Sequence, residues 1–504
     1  MQFPILSAIL ITPLLGALLI LVIPREDVRT IRRVGVAFAV ISFVLATILW
    51  IRVEQLGAGA LQLVERYPWI ADFDIWYHVG VDGLSTPLIW LTALLMTLAL
   101  FYSAHVIEDR VKEYYFLFLL LETGLIGVFL ALDLVLFYVF WEIGLVPMFL
   151  IIGIWGGKRR DYAAIKFFLY TLAGSVFALL AIIAIYFNTG TFDIVELARL
   201  QPFAQDVLWA NLASWGLWLA FAIKIPVFPL HTWLPDAHTE APTAGSVMLA
   251  GVLLKLGAYG MLRIGLPLFP QMFRYYVLDV PILPVLALFS IVYGALVCLA
   301  QWDFKRLIAY SSVAHMGYFT LGLCAAAARS AETQMAAISA LDGAAWQLFS
   351  HGIITGGMFF LVGMLYERTH TRDLRAFGGL SGQMPVYYGL TLVFALASLG
   401  LPGLAGFWSE LFVFRGTAQL LPLAAYIGVL GMVFTAAYIL WKVIQYVFLG
   451  TFDAIRWGTL TDLAWWEKVA VVPLLVLTIV LGLYPAPLLA TFDSAITALL
   501  HVLP

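Results

Sequence analysis

The sequence predicts an all-α integral membrane protein with about fourteen transmembrane helices. Of its 504 residues, 63% are hydrophobic and only 11% are charged, and the mean hydropathy is +0.99. Soluble domains carry about 25% charged residues, so this chain lacks the polar side chains needed to cover a surface that faces water. Because a bilayer core about 30 Å thick requires roughly 20 helical residues per span, the apolar runs correspond to about fourteen spans.

The predicted spans are separated mainly by short loops. Their approximate limits are 4–23, 34–52, 83–103, 114–132, 134–156, 163–187, 209–230, 243–263, 280–301, 307–328, 344–366, 386–414, 422–447 and 469–491. The first run has no positively charged leader and no clear small-residue cleavage site, so we expect it to be retained as the first helix.

Lysine and arginine are distributed unequally between the two sets of loops. Sixteen lie in loops after odd-numbered spans and seven lie on the opposite side. Positive residues are retained on the cytoplasmic side of a membrane, so both termini are predicted to lie on the outer side.

Composition and motifs exclude several classes of function. The net charge is −3, and no Lys/Arg run is longer than a triplet, which argues against nucleic acid as a partner. The two cysteines, Cys298 and Cys324, lie in apolar stretches and form no CxxC site. The chain has no dinucleotide-binding or Walker motif, and its HTWLPDAHTE segment does not fit the H-E-x-x-H metal pattern.

Two spans are interrupted in comparable ways. The seventh reads LWLAFAIKIPVFPLHTWLP, with Pro226 and Pro229 just after Lys224. The twelfth reads LASLGLPGLAGFWSELFVF, with a Pro-Gly pair just before Glu410. Proline removes a backbone donor, and the membrane tolerates the freed carbonyls only where protein or water satisfies them. The sequence therefore predicts broken helices 7 and 12.

The two breaks lie five spans apart, which predicts two five-helix repeats. Because five is an odd number, the second copy is inserted upside down, as in the inverted repeats of transporters. The predicted organisation is an N-terminal three-helix segment, a first repeat, a second repeat and a C-terminal helix. Their limits are 1–113, 114–263, 264–447 and 448–504.

Four charged residues lie deep within predicted spans: Glu142, Lys224, Lys255 and Glu410. Each costs about 2.5–3.5 kcal/mol at a helix centre unless it is paired or hydrated. One interpretation is that they form structural salt bridges, although apolar replacements of such pairs are often neutral or stabilising. The other is that a buried lysine, destabilised by burial and stabilised by a nearby carboxylate, binds and releases a proton. Lys166 and Lys442 lie near helix ends, where we expect them to extend towards the interface.

Histidines extend the set of candidate proton carriers. His315 and His351 fall within spans ten and eleven, where a neutral imidazole can accept and donate a proton near neutral pH. Packing is the alternative role for each, but their position between Lys255 and Glu410 in the chain favours a relay. For His231 and His238, which flank the WLPDAH turn, capping of a loop is favoured over a relay.

Several segments together resemble a known family. These segments are GVDGLSTPLIWLTALL (80–95), LFYVFWEIGLVPMFLIIGIWG (136–156), AFAIKIPVFPLHTWLPDAHTEAPTAGSVMLAGVLLKLGAYG (220–260), DFKRLIAYSSVAHMGY (303–318), LFSHGIITGGMFFLVG (348–363) and LPGLAGFWSE (401–410). They resemble the antiporter-like membrane subunits of proton-translocating NADH:quinone oxidoreductase, respiratory complex I. Among these they resemble subunit M, the counterpart of mitochondrial subunit 4. The resemblance covers about residues 70–450.

Three features favour the M type. The related N and antiporter D types usually carry lysine where this chain has Glu410, and the L type carries an additional long lateral helix that 504 residues cannot hold. The FWEIGLVPMFLI stretch is also typical of M.

The resemblance implies a role in proton translocation and assigns positions in the pathway. Glu142 matches the family's fifth-helix glutamate, Lys224 its seventh-helix lysine, Lys255 its central eighth-helix lysine and Glu410 its twelfth-helix terminal residue. His315 and His351 match positions along the connecting polar axis.

The resemblance also implies how the work is divided within the assembly. FMN, iron-sulfur clusters and quinone are expected on partner subunits, with no cofactor in this chain. The expected partners are other membrane subunits, especially the antiporter-like L and N types, and membrane lipids. The expected location is an energy-transducing inner or cell membrane. Two alternatives remain: a subunit of a multisubunit cation/proton antiporter, and a structural scaffold held by buried ion pairs.

Overall fold

The computed structural model describes residues 4–502, and most of them are helical. The first twelve helices are α1 Ile5–Val22, α2 Val28–Leu56, α3 Ser85–Val106, α4 Val111–Leu130, α5 Leu134–Ile143, α6 Leu145–Trp155, α7 Arg160–Thr189, α8 Ile194–Leu200, α9 Val207–Lys224, α10 Trp233–Glu240, α11 Thr243–Met248 and α12 Leu254–Gly260. The other twelve are α13 Leu266–Leu268, α14 Pro270–Leu278, α15 Ile282–Ala300, α16 Phe304–Ala327, α17 Gln334–Thr369, α18 Leu380–Gln383, α19 Pro385–Ser398, α20 Ala405–Leu420, α21 Pro422–Tyr438, α22 Ala454–Trp457, α23 Trp465–Leu483 and α24 Ala486–Val502.

Within residues 4–502, thirteen continuous helical segments are long and apolar enough to cross a membrane. They confirm the prediction of an all-α, multi-span membrane protein. The difference from fourteen arises at the predicted span 386–414, which forms two shorter helices, α19 and α20. The helix cannot continue through Leu399–Leu404, because this segment contains Pro402 and two glycines with positive φ.

Many helices begin at an aspartate whose carboxylate accepts hydrogen bonds from the first backbone N–H groups. These N–H groups have no partner within the helix, so a side-chain acceptor stabilises the helix start. Aspartates that act in this way are Asp27, Asp133, Asp193, Asp206 and Asp303.

The described residues form two compact units. The first comprises the chain up to Ile225, the segment Val252–Pro281 and the segment from Leu488 onwards. The second comprises Pro226–Gly251 and Ile282–Pro487. Glu142, Lys224 and Lys255 lie in the first unit, whereas the other three candidate residues lie in the second.

The first unit also contains a β-hairpin in a region that the sequence analysis treated as a loop. Strand β1 (Gln62–Ile70) pairs antiparallel with β2 (Ile75–Val81), and Asp74 makes the turn in the left-handed conformation. Val79 extends the pairing to Ala131 just after α4. The hairpin is thus joined to the segment that leads into α5.

In each unit, the backbones of two aspartates pair in an isolated β-bridge. In the first, Asp133 pairs with Asp193 in a short antiparallel bridge, and each caps a helix. Burial raises the pKa of Asp193, but contact with His78 and a backbone N–H outweighs this effect and holds the pKa below its usual value. In the second unit, Asp303 pairs with Asp373 in the same way. The first bridge sets the start of α5, and the second sets the start of α16.

Candidate functional site

Lys224 is the last residue of α9 and is almost completely buried, with 1% of its surface exposed. The helix ends there because Pro226 follows and cannot donate a backbone hydrogen bond. The carbonyl end of a helix carries a partial negative charge, which favours a cation. The interruption therefore places the ammonium group at a helix end that can stabilise its charge.

Glu142 lies in the last turn of α5, next to the helix that carries Lys224. Trp141 and Phe221 connect α5 to α9, with ring centroids 5.7 Å apart. The Lys224 amine lies 4.7 Å from the centre of the Trp141 ring and makes no hydrogen bond to another described residue. Glu142 is close enough for its charge to act on Lys224. Trp141 thus provides the direct contact, while Glu142 acts on the lysine through space.

Lys255 is fully buried in α12, a short α-helical segment between two π-helical segments, Leu249–Leu253 and Met261–Gly265. π-Helical turns often occur at functional sites. Gly257 allows α12 to lie directly against α9, since a Cβ atom there would come within 2.6 Å of the Phe221 carbonyl and 2.9 Å of Lys224 Cβ. The first unit therefore brings the helices of Glu142, Lys224 and Lys255 together.

In the second unit, the other three predicted residues line one internal cavity. Its lining comprises His315, Gln347, Ser350, His351, Ile354, Thr355, Ala397, Ser398, Gly406 and Glu410. The two imidazole rings lie 5.9 Å apart, centre to centre. His315 Nε2 forms a hydrogen bond with Ser398 Oγ at 3.0 Å. The cavity has space for about one water molecule, and its polar lining could hold one.

Glu410 packs against the interruption between α19 and α20. Gly400 has φ +79°, and a Cβ atom there would lie 2.2 Å from Glu410 Oε2. Only glycine meets both requirements at this position, since it tolerates positive φ and leaves room for the carboxylate. Glu410 itself is 4% exposed. The break therefore forms one wall of the Glu410 site.

Sequence reasoning missed several buried polar residues and contacts. Glu122 is fully buried in the centre of α4, and the same energetic argument that singled out Glu142 could have found it. Ser398 could not be recognised as a site residue from the sequence, because serine is common in membrane helices. Lys442 is enclosed: its amine donates to the Gln301 carbonyl, in the loop between α15 and α16, at 2.7 Å and lies 3.7 Å from the Trp302 ring centre.

Comparison with known proteins identifies the family. Residues 131–435 match the family described as NADH:quinone oxidoreductase/Mrp antiporter, transmembrane. NADH-quinone oxidoreductase subunit M of Rhodobacter capsulatus is 44% identical over 96% of this chain and 93% of its own length. The subunit M of Rickettsia conorii is 41% identical over 99% of both chains. A chain of respiratory complex I from Thermus thermophilus, solved with bound NADH, superposes with a TM-score of 0.85 at 32% identity, covering 98% of this chain and 99% of that one.

The chain therefore belongs to the NADH:quinone oxidoreductase/Mrp antiporter family of transmembrane proteins. Within that family it belongs with the chains named NADH-quinone oxidoreductase subunit M, which match it over nearly its whole length. The resemblance seen in the sequence motifs is confirmed, as is the multi-pass membrane class.

Proposed function

We propose that this chain is a proton-translocating subunit of the membrane arm of a NADH:quinone oxidoreductase. The observation that carries the proposal is the grouping of ionisable side chains, all of them buried except Glu142, which is half-buried. The first unit groups Glu142 and Lys224 with Lys255, and the second places His315, His351 and Glu410 around one cavity. Membership in the family of subunit M supports the same conclusion.

In the first unit, the lysines are the carriers. Burial penalises the charged ammonium, while the helix end, the Trp141 ring and the Glu142 charge favour it. The stabilising contributions range from about 0.3 kcal/mol for the helix end to about 2–3 kcal/mol for a nearby carboxylate, so a small movement of Glu142 relative to Lys224 loads or releases a proton. Moving one charge against a membrane potential costs about 2.3 kcal/mol per 100 mV, which is of the same size.

In the second unit, the histidines pass the proton to Glu410. A neutral imidazole accepts a proton at one ring nitrogen and donates from the other. Ser398 holds one nitrogen of His315, and a water in the cavity could connect the imidazoles to the carboxylate. The proposed order is Glu142 with Lys224, then Lys255, then the histidines and Glu410.

The energy for transport comes from redox chemistry on other subunits. We infer that FMN, iron-sulfur clusters and quinone are bound by those partners and that this chain holds none of them. The closest membrane partners would be the antiporter-like subunits L and N, with lipids covering the exposed apolar helices.

We further infer that the chain is built from two inverted five-helix repeats. The similar β-bridges, Asp133 with Asp193 and Asp303 with Asp373, support this inference because each joins the start of a membrane-spanning helical segment to a later loop. The proposed boundaries are those predicted from the sequence, 114–263 and 264–447. Both termini would lie on the outer side; the terminal residues themselves are outside the described residues.

Replacing Lys255 tests this function. Lys255→Met keeps an unbranched side chain of similar shape, shorter by one atom, that cannot carry a proton, so the assembled complex should lose most of its proton pumping and NADH:quinone turnover. Lys166→Met is the matched control, because Lys166 is partly exposed beside Tyr162 and has no assigned role. Normal pumping in an assembled Lys255→Met complex would overturn the proposal and favour the scaffold. Loss of sodium tolerance with intact NADH:quinone activity in a deletion strain would favour the antiporter.

A further inference from the structure

A buried ion pair that plays no part in the proposed pathway lies in the same unit as Lys255. Arg263 Nη2 donates to Asp82 Oδ2, and both side chains are nearly enclosed, with 11% and 7% of their surfaces exposed. The Arg263 Nε group donates to the Tyr259 hydroxyl at 3.2 Å, and that hydroxyl donates to the Phe129 carbonyl at 3.1 Å. Arg263 is thus tied to the segment before α3 and to the end of α4.

The same helix carries this arginine and the central lysine. Lys255, Tyr259 and Arg263 follow one another at intervals of four residues within the continuous helical segment Thr243–Leu268, so they lie along one side of it. Eight residues correspond to about 12 Å of helix. The three side chains are shielded from solvent, so screening by water and salt is weak over this distance.

We propose that Asp82 and Arg263 act as a charge-balancing pair that sets how readily Lys255 binds a proton. The proposal rests on the function proposed above and adds two positioning residues to it. While the pair is intact, the field of Arg263 at Lys255 is largely cancelled by Asp82. Any rearrangement of the pair, or neutralisation of one member, exposes Lys255 to an unbalanced charge.

The two single neutralisations have opposite consequences. At about 12 Å and an effective dielectric near 20, one unbalanced charge changes the proton affinity of Lys255 by about tenfold. Asp82→Asn leaves Arg263 unbalanced and weakens proton binding. Arg263→Gln leaves the Asp82 charge unbalanced and strengthens proton binding, and the Asp82 carboxylate is still held in place by the backbone hydrogen bonds that it accepts from Leu84 and Ser85.

Other groups around α12 do not change in these variants. Lys224 faces it from α9. From α4 the contact is the Phe129 carbonyl, and the buried carboxyl of that helix, Glu122, interacts with Ser42 on α2. Tyr259 is the remaining titratable group on the same side of the helix. Tyr259→Phe removes a hydrogen bond to Arg263 without changing any charge, and so serves as the control for local disorder.

The experiment measures the pH dependence of NADH:quinone turnover and proton pumping in membranes, with assembly checked for each variant. We expect the alkaline limb to move about one pH unit lower in Asp82→Asn and about one pH unit higher in Arg263→Gln. The double variant should return close to the wild-type profile, and Tyr259→Phe should keep the wild-type position even if its maximum rate falls. A purely structural pair would instead lower the rate in both single variants without opposite movements.

Shifts in the same direction, or no shifts in assembled variants, would overturn the proposal. If the single variants fail to assemble, the doubly neutral variant decides: a profile displaced by as much as one pH unit would contradict charge balance, and a wild-type profile would support it. Lys255→Met separates this failure from failure of the proposed function, because its loss of pumping does not depend on Asp82 or Arg263.

Discussion

The interaction between Glu142 and Lys224 can be tested quantitatively. At an effective dielectric near 20, a carboxylate stabilises an ammonium by about 2–3 kcal/mol when the two charges are about 6–8 Å apart, and the Glu142 charge acts on Lys224 in this direction. Glu142→Gln should therefore lower the proton affinity of Lys224 by roughly 30- to 100-fold. The Trp141 ring retains its contact at 4.7 Å and stabilises the ammonium by up to about 2 kcal/mol. The proton affinity of Lys224 therefore falls, but the charged form keeps one stabilising partner.

Proton transfer through Lys224 should then slow, and quinone reduction should slow with it because the two processes are coupled. Lys224→Ala should have a larger effect than Glu142→Gln, and the double variant should lose little more than Lys224→Ala alone. Residues that act as one unit give such non-additive losses. Trp141→Phe should have a smaller effect than Glu142→Gln, because a phenyl ring keeps part of the contact with the amine.

The assay is NADH:quinone turnover and proton pumping in membranes from the single and double variants, with assembly checked on native gels. Glu108→Gln is the control, since Glu108 is an exposed carboxylate on the loop before α4. Strictly additive losses, or unchanged rates in an assembled Glu142→Gln complex, would show that Glu142 and Lys224 do not work as a pair.

Four further measurements test Glu410, Gly400, the cap of α5 and the predicted topology. Glu410→Gln should preserve assembly but reduce coupled turnover severalfold, whereas normal pumping would remove Glu410 from the pathway. Gly400→Ala should also lower turnover, because its Cβ atom would displace the Glu410 carboxylate. Gly389→Ala is the control: a Cβ atom there has no other atom within 4 Å, so turnover should stay at the wild-type rate. Asp133→Ala removes the cap of α5 and the acceptor of the Trp76 N–H, and should lower the free energy of unfolding by at least about 1 kcal/mol; Asp133→Asn should lower it less, because its amide oxygen still caps the helix, as measured by thermal unfolding in detergent. Reporter fusions in the loops 157–162 and 188–208 should lie on opposite sides of the membrane, the first inside; an external first loop would refute the predicted topology.

The membrane class, the approximate number of spans and the burial of most candidate ionisable residues followed from the sequence because lipid imposes simple rules. Each span needs a minimum apolar length, and a charge in the middle of a span carries a free-energy cost that makes it stand out in the sequence. For that reason Lys224, Lys255 and Glu410, all nearly completely buried in the structure, could be singled out without knowledge of any contact.

The interruptions could be located from the sequence, but their effect on neighbouring side chains could not. Pro402 marks where a helix cannot continue, since proline lacks a backbone donor. That Gly400 would face the Glu410 carboxylate depends on how the segment folds back after the break. Backbone direction within a break is set by tertiary packing and leaves no periodic signal in the chain.

Hydropathy gives no information about which buried groups meet. Lys442 lies near the end of a span, where a lysine commonly extends to the interface, yet it is enclosed beside Trp302 because a later helix packs against the start of α16. Hydropathy also does not indicate that Asp82 and Arg263, which are separated by 181 positions in the chain, form a hydrogen-bonded ion pair inside the first unit. Local composition determines whether a segment can enter the membrane, because the free energy of transferring each residue from water into lipid depends on the type of residue and its depth. The partners it meets there depend on contacts between distant helices, which only the folded chain creates.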